Sequence, residues 1–208
     1  MNTSDYQTLV KTTRYWLLGK AENSPEYYQT LQAFEIAMKY HKGIRKDGVT
    51  KELYHQLNIF SMLRTQVATM LYPSIVLSVA LLHDTYEDYE ESHNELFEKF
   101  PEIMVYVVRI SKVRNGQKIP YEQYFGEMSE CPITSLVKIV DRIHNLSTMH
   151  GVFSLEKEAS YVQDVYDYFY PMLKTAKRNF PQQEAIYETL KSILSLQVNM
   201  IETRTLSK

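Results

Sequence analysis

Cysteine is almost missing from this chain of 208 residues: Cys131 stands alone. A single thiol excludes an internal disulfide, and with it the small disulfide-framed domains of oxidising compartments. Cys131 has no CxxC partner, so it reads as a small buried or loop residue rather than a nucleophile. Glycine and proline are scarce as well, at 6 and 7, which leaves long stretches free of helix breakers. No apolar run approaches the roughly 20 residues of a membrane helix. The longest, Ile75–Leu82, is the length of a core segment. The amino terminus lacks a basic-then-apolar targeting segment, so a cytoplasmic protein without membrane contact is expected. Charge of one sign is lacking too. Lys and Arg number 23 against 25 Asp and Glu, a net charge of -2, and this excludes a global basic field for nucleic acid.

Helical spacing is what remains. Leu31, Phe34, Met38 and His41 share one face of a helix that begins near Ser24-Pro25, an N-cap followed by a first-turn proline. Leu190, Ile193, Leu194, Val198 and Ile201 do the same near the carboxyl terminus. Residues 73–88, 130–149 and 156–178 read as three more helices, and no strand-like alternation with hairpin turns is visible. Segments 43–50 and 114–120, each with glycine and basic residues, read as loops. The expectation is an all-α fold: one helical domain over 1–208, of nine or ten helices.

Two segments carry chemistry. In the first, the apolar octet Ile75–Leu82 runs directly into His83, Asp84, Glu87 and Asp88. A helix that buries the octet carries His83 and Asp84 inward, and a buried charge needs a partner or a metal. Glu87 lies four residues past His83 and Asp88 four past Asp84, so each pair shares a face. In the second, Asp141 is embedded among Leu136, Val137, Ile139, Val140, Ile143 and Leu146, with Asn145 one turn on. His55, after the loop at Gly48, supplies a second imidazole. Two imidazoles and two carboxylates suit Mn²⁺, Fe²⁺ or Zn²⁺, and such an ion polarises a phosphoryl oxygen and acidifies water.

These segments resemble the HD hydrolase domain of the RelA/SpoT family, and more narrowly its small stand-alone alarmone hydrolases. The family pattern H-x-G-Q-x-R-K-x-G, His, HDxxED, KLADRLHNLRTM is met by His41-Lys-Gly43-Ile-Arg45-Lys46-Asp-Gly48, His55, His83-Asp84-Thr-Tyr-Glu87-Asp88 and Lys138-Ile-Val-Asp141-Arg142-Ile-His144-Asn145-Leu-Ser-Thr148-Met149. The resemblance covers roughly residues 30–180. It implies a single all-α HD-domain bundle, with His55, His83, Asp84 and Asp141 as ligands of Mn²⁺. Glu87 and Asp88 become the catalytic acids that position or deprotonate water. Arg45 and Lys46 hold the base, Asn145 and Thr148 sit near the ribose and 3′ side, and Lys112 contacts phosphate, with Arg114 or Lys118 as alternatives. The implied reaction removes the 3′-pyrophosphate from (p)ppGpp, or from an adenosine analogue, to give GDP or GTP and pyrophosphate. With the chain ending at Lys208, the implied protein destroys alarmone and does not make it. Two departures stand out: the prolines around the first ligand are absent, and the RKxG element sits one residue nearer His41.

Other readings stand beside these. His41 and His144 read as core histidines, His93 and His150 as surface or loop residues, and Glu90 and Glu91 as a solvated acidic turn. Tyr161, Tyr166, Tyr168 and Tyr170 fall on one helix and read as packing or a homo-oligomer face. For function, the alternatives to an alarmone hydrolase are an HD nucleotide phosphatase, such as one removing the 2′-phosphate of NADPH, and a nucleotide sensor without turnover. In each case the partner is a small nucleotide.

Overall fold

The computed structural model describes residues 3–114 and 116–206. The chain forms α1 (Thr3–Asn23), α2 (Tyr27–Tyr40), α3 (Leu53–Arg64), α4 (Pro73–Asp88), α5 (His93–Lys99), α6 (Pro101–Ile110), α7 (Tyr121–Ser129), α8 (Pro132–Thr148), α9 (Leu155–Asp164), α10 (Tyr170–Asn179) and α11 (Glu184–Leu206). A π-helical turn, Val165–Phe169, joins α9 to α10, so 155–179 runs as one continuous rod. The described residues thus contain ten helical rods, and the all-α expectation is met.

Three local details differ from the expectation. The helix expected at Ser24-Pro25 starts at Tyr27, because the chain first makes a tight turn in which Tyr27 N–H donates to Ser24 O and Tyr28 N–H to Pro25 O. Segment 114–120 is not wholly loop. Val113–Arg114 pairs antiparallel with Gln117–Lys118, a hairpin too short to show as alternation, turning with Gly116 at φ 74°. Segment 43–50 is closed on itself: Arg45 N–H donates to Thr50 O, Asp47 Oδ1 accepts the Val49 and Thr50 N–H groups, and Gly48 turns at φ 75°.

α4 is the axis of the core. Val76 through Leu82 are all buried, and the helix packs against α2, α3, α6 and α8. A helix enclosed on every side can be apolar all round, which is why the octet reads as a continuous run rather than a stripe. α8 carries an apolar face onto α3, α4, α7 and α11, yet Lys138, Asp141, Arg142 and His144 are buried with it. Each has a partner. Arg142 Nη2 donates to Asp164 Oδ2 at 3.0 Å, and its guanidinium stacks between the rings of Tyr161 and Phe169 at 4.3 and 4.6 Å. The tyrosine-rich rod mostly packs inward in the same way: Tyr168 stacks on Phe125, and the Tyr170 hydroxyl bonds Ser195. Cys131 is buried at the start of α8.

Candidate metal centre and nucleotide cavity

α3, α4 and α8 each deliver one part of a buried polar cluster. His55 sits in the first turn of α3, His83 and Asp84 come from the last third of α4, and Asp141 from the middle of α8. Ligand atoms of His55, His83 and Asp84 lie within 4.8 Å of one another. Asp141 lies at the edge of this group of three, its Oδ1 3.2 Å from His55 Nε2. His55 Nε2 is also 3.5 Å from Asp84 Oδ2, and His83 Nε2 is 3.0 Å from Asp84 Oδ1.

The orientation of the two imidazoles fits a metal ion. His83 Nδ1 donates to Ala80 O at 3.0 Å, one turn back on α4. In the neutral imidazole that bond puts the lone pair on Nε2, and Nε2 is a buried nitrogen without a hydrogen-bond partner among the described residues. It faces the Asp84 carboxylate, which takes up the charge when the imidazole is protonated. His55 likewise turns Nε2 to the carboxylates, while its Nδ1 meets His144 Nδ1 at 2.8 Å. Ligating histidines are generally held this way, one nitrogen to the ion and the other to an outer partner. The carboxylates are held too. Gln56 Nε2 donates to Asp84 Oδ2 at 2.8 Å, Lys138 Nζ to Asp141 Oδ2 at 2.9 Å, and Asn145 Nδ2 to Asp141 Oδ1 at 2.7 Å.

The electrostatics ask for positive charge at the centre. Burial opposes a proton on His83, but the adjacent Asp84 carboxylate outweighs it and pushes the imidazole up to about 9. Burial also opposes ionisation of Asp84 and Asp141, yet His83 beside the first and Lys138 beside the second hold both carboxyls well below the usual range. A proton thus does part of a cation's work when no cation is there. His41 and His144 go the other way. Burial lowers them to about 4 and about 3, so both are neutral.

The centre opens onto a cavity of about 320 Å³ between loop 43–50 and the end of α8. Arg45, Lys46, Asn145, Thr148 and Asp88 all line it, and Arg45 Nη2 reaches Asn145 Oδ1 at 3.3 Å. Asp88 is the last residue of α4. Burial, then the carboxylates of Asp84, Glu87 and Glu52, push it up to about 6. Glu87 and Lys112 do not line the cavity. Glu87 Oε1 accepts the Lys112 backbone N–H at 3.0 Å, and the Lys112 ammonium lies 5.2 Å over the Tyr121 ring. Burial, with Lys138 and Arg142 nearby, lowers that ammonium to about 8. Arg114 is not free for phosphate: it is consumed by Glu127 and by the carbonyls of Val108 and Arg109.

Some participants were not singled out from the sequence. Gln56, Glu52, Phe153 and Tyr89 gave no signal of their own. His41 is a satisfied core histidine, its Nε2 bonded to Thr85 Oγ1 at 2.9 Å, but it also forms part of the cavity wall. Glu52 Oε2 accepts the Gly43 N–H at 3.1 Å and the Tyr89 hydroxyl at 2.6 Å, which ties the loop to the end of α4. His144 is more than packing, since it meets a candidate ligand directly.

Fold and site together define an all-helical protein with a buried His/Asp centre able to hold a divalent ion. No family model matches the chain. The chain is 27% identical over 155 residues to a guanosine-3′,5′-bis(diphosphate) 3′-pyrophosphohydrolase of Aquifex aeolicus, 71% of this chain and 22% of that protein. It is 24% identical over 151 residues to a GTP pyrophosphokinase of Streptomyces coelicolor, 69% and 17%, and 26% identical over 150 residues to one of Brucella melitensis, 68% and 19%. The chain therefore spans about a fifth of the length of these curated relatives. They are RelA/SpoT-family enzymes, in agreement with the resemblance carried by the motifs. No helix among the described residues is long and apolar enough to cross a membrane.

Proposed function

We propose that this protein hydrolyses the 3′-pyrophosphate of a guanosine alarmone, or of its adenosine analogue, with Mn²⁺ held by His55, His83, Asp84 and Asp141. The observation that carries the reading is the convergence of these side chains, with His83 Nε2 buried and given no hydrogen-bond partner among the described residues, at the mouth of a cavity walled by Arg45, Lys46, Asn145 and Thr148. The Aquifex relative bears the matching activity in its name. The single core running from Leu17 to Ile201 supports reading the chain as one hydrolase domain.

When bound, the ion supplies Lewis acidity that lowers the pKa of a nearby water and offsets charge on the phosphoryl oxygens. The protein supplies the rest. Asp88, on the cavity wall and near-neutral in its titration, takes a proton from the attacking water. The water oxygen bonds to the 3′-phosphorus as the bond from that phosphorus to the ribose 3′-oxygen breaks, and the proton that Asp88 took passes to the 3′-oxygen, which leaves as an alcohol. The products are pyrophosphate and GDP or GTP, or ADP or ATP from the adenosine analogue. Arg45 and Lys46 fix the base end of the nucleotide, and Asn145 and Thr148 the ribose end, so that the reacting phosphorus is held rather than encountered. Glu87 accepts the Lys112 backbone N–H and so holds the segment after α6 against the end of α4, a positioning role outside the cavity.

The test is turnover of ppGpp, ppApp, NADPH and dGTP by protein stripped of metal and reloaded with Mn²⁺, with products resolved by ion-exchange chromatography. Pyrophosphate with GDP or ADP supports the reading and names the base. Inorganic phosphate from NADPH alone replaces it with a nucleotide phosphatase, and binding without turnover on all four replaces it with a sensor.

A further inference from the structure

The contact between His55 and His144 assigns a role to a residue outside the candidate ligand set. The two Nδ1 atoms are 2.8 Å apart, both rings are buried, and they meet at 66°. Only one proton fits between two nitrogens at that separation. If His55 Nε2 ligates the ion, its own proton must sit on Nδ1, because a neutral imidazole has one N–H. His55 then donates and His144 Nδ1 accepts. A neutral imidazole accepting at Nδ1 carries its proton on Nε2. No hydrogen bond of that Nε2 is found among the described residues, and the ring forms part of the cavity wall. The proton on one nitrogen of His144 is thus dictated by the metal ligand on the other.

We propose that His144 acts at both ends: its Nδ1 holds His55 in the metal-ligating tautomer, and its Nε2–H donates a hydrogen bond to an oxygen of the nucleotide in the cavity. The first half needs only the metal centre. The second rests on the nucleotide reading above. His144 is in this sense a positioning residue for the ion and a contact residue for the ligand.

Two substitutions separate the ends. In His144→Asn the amide oxygen falls near the place of Nδ1, keeping an acceptor for His55 and losing the cavity donor. In His144→Gln the amide reaches toward the place of Nε2, keeping a cavity donor and losing the acceptor. Calorimetric titration of metal-stripped protein with Mn²⁺ should show a dissociation constant raised about 10- to 100-fold in the Gln variant and within about threefold of wild type in the Asn variant. Titration of the Mn²⁺-loaded protein with GDP should show the reverse order, with affinity weakened about fivefold to tenfold in the Asn variant. A ring that merely packs predicts equal losses in both variants, and that result overturns the proposal. If wild type does not bind GDP, the nucleotide reading and the cavity half fail together, while the Mn²⁺ titration still decides the other half. A measurement on unmutated protein guards against variants that fail to fold. Nitrogen-15 histidine spectra of the Zn²⁺-loaded chain should show His55 protonated at Nδ1 and His144 at Nε2, and the opposite pair of tautomers overturns the assignment.

Discussion

Replacing Asp88 by Asn is the sharpest test of how this site handles a proton. Asp88 ends α4 on the cavity wall, and burial together with Asp84, Glu87 and Glu52 raises its carboxyl to about 6. In the metal-free protein a base of that strength is roughly 90% ionised at pH 7 and roughly 10% at pH 5, so about tenfold is the upper bound on the fall in kcat/KM across that interval. The sign follows from its role: the ionised form accepts the proton, so activity is lost as pH falls. A cation at the centre offsets the Asp84 charge and draws the limb toward lower pH. Asn has nearly the same volume and cannot accept a proton, so kcat should drop by about 10²- to 10⁴-fold and the acid limb should vanish. Metal content should stay at wild type, because Asp88 is not among the proposed ligands. Glu87→Gln is the matched control. Its amide oxygen can still accept the Lys112 N–H, so the loss should stay within about tenfold. Initial rates of pyrophosphate release from pH 5 to 8 at saturating Mn²⁺, with metal content measured on the same samples, give all of these quantities. A kcat for Asp88→Asn within threefold of wild type, or an unchanged acid limb, would refute the assignment of the base; a Glu87→Gln loss exceeding that of Asp88→Asn would exchange the two roles.

Other outcomes can be stated alongside it. Asp84→Ala, or removal of metal with EDTA, should abolish both metal binding and turnover; retained activity after metal stripping would rule out a metal-dependent reaction. His41 is buried, and its folded value of about 4 lies below the ordinary 6.5. The unfolded chain therefore binds the extra proton first, and stability is lost as pH falls from about 6.5 to about 4, by about 3 kcal/mol in all. Urea midpoints in EDTA should show this, and His41→Asn should flatten the profile in that window by close to one proton; an identical pH slope in the variant would refute it. In Gly43→Ala the new Cβ would come within 2.6 Å of the Glu52 carboxylate, expelling it from its bonds to Gly43 N–H and the Tyr89 hydroxyl. The nucleotide KM should rise, with a loss of about 1–2 kcal/mol in thermal unfolding; unchanged KM and melting would mean the tie is dispensable.

What was legible in the sequence follows from what kind of signal each element leaves. α4 was readable to its ends, because a buried octet flanked by Pro73 and an acidic pair leaves one interpretation. Asp141 and Asn145 were readable as a pair because a helical repeat places i and i+4 on one face, and they are bonded at 2.7 Å. The start of α2 was misread because Ser24-Pro25 can open a helix or form the tight turn that precedes one, and the sequence is the same in both cases. Arg114 was misread because a loop arginine looks free until its carbonyl partners, Val108 and Arg109, are brought back by the fold. Gln56 and Glu52 left no trace, since what matters in each is the contact of one amide or carboxylate with a residue far along the chain.

Loop 43–50 departs from the family pattern in register and in its missing prolines, and its anchoring bears on what that departure costs. Proline would stiffen such a loop by limiting the unfolded chain. Here stiffness has other sources: Asp47 binds two backbone N–H groups inside the loop, and Glu52 pins Gly43 from below. Glu52 is in turn held by Tyr89, the residue after Asp88, and His41, at the loop's entry, is bonded to Thr85, one turn before Tyr89. The segment proposed to hold the base and the helix end proposed to take the proton are thus joined by two short side-chain bridges. A nucleotide that shifts the loop must also shift the end of α4, so base identity and the placement of Asp88 are mechanically linked. Substrate preference in this site should accordingly appear in kcat as well as in KM.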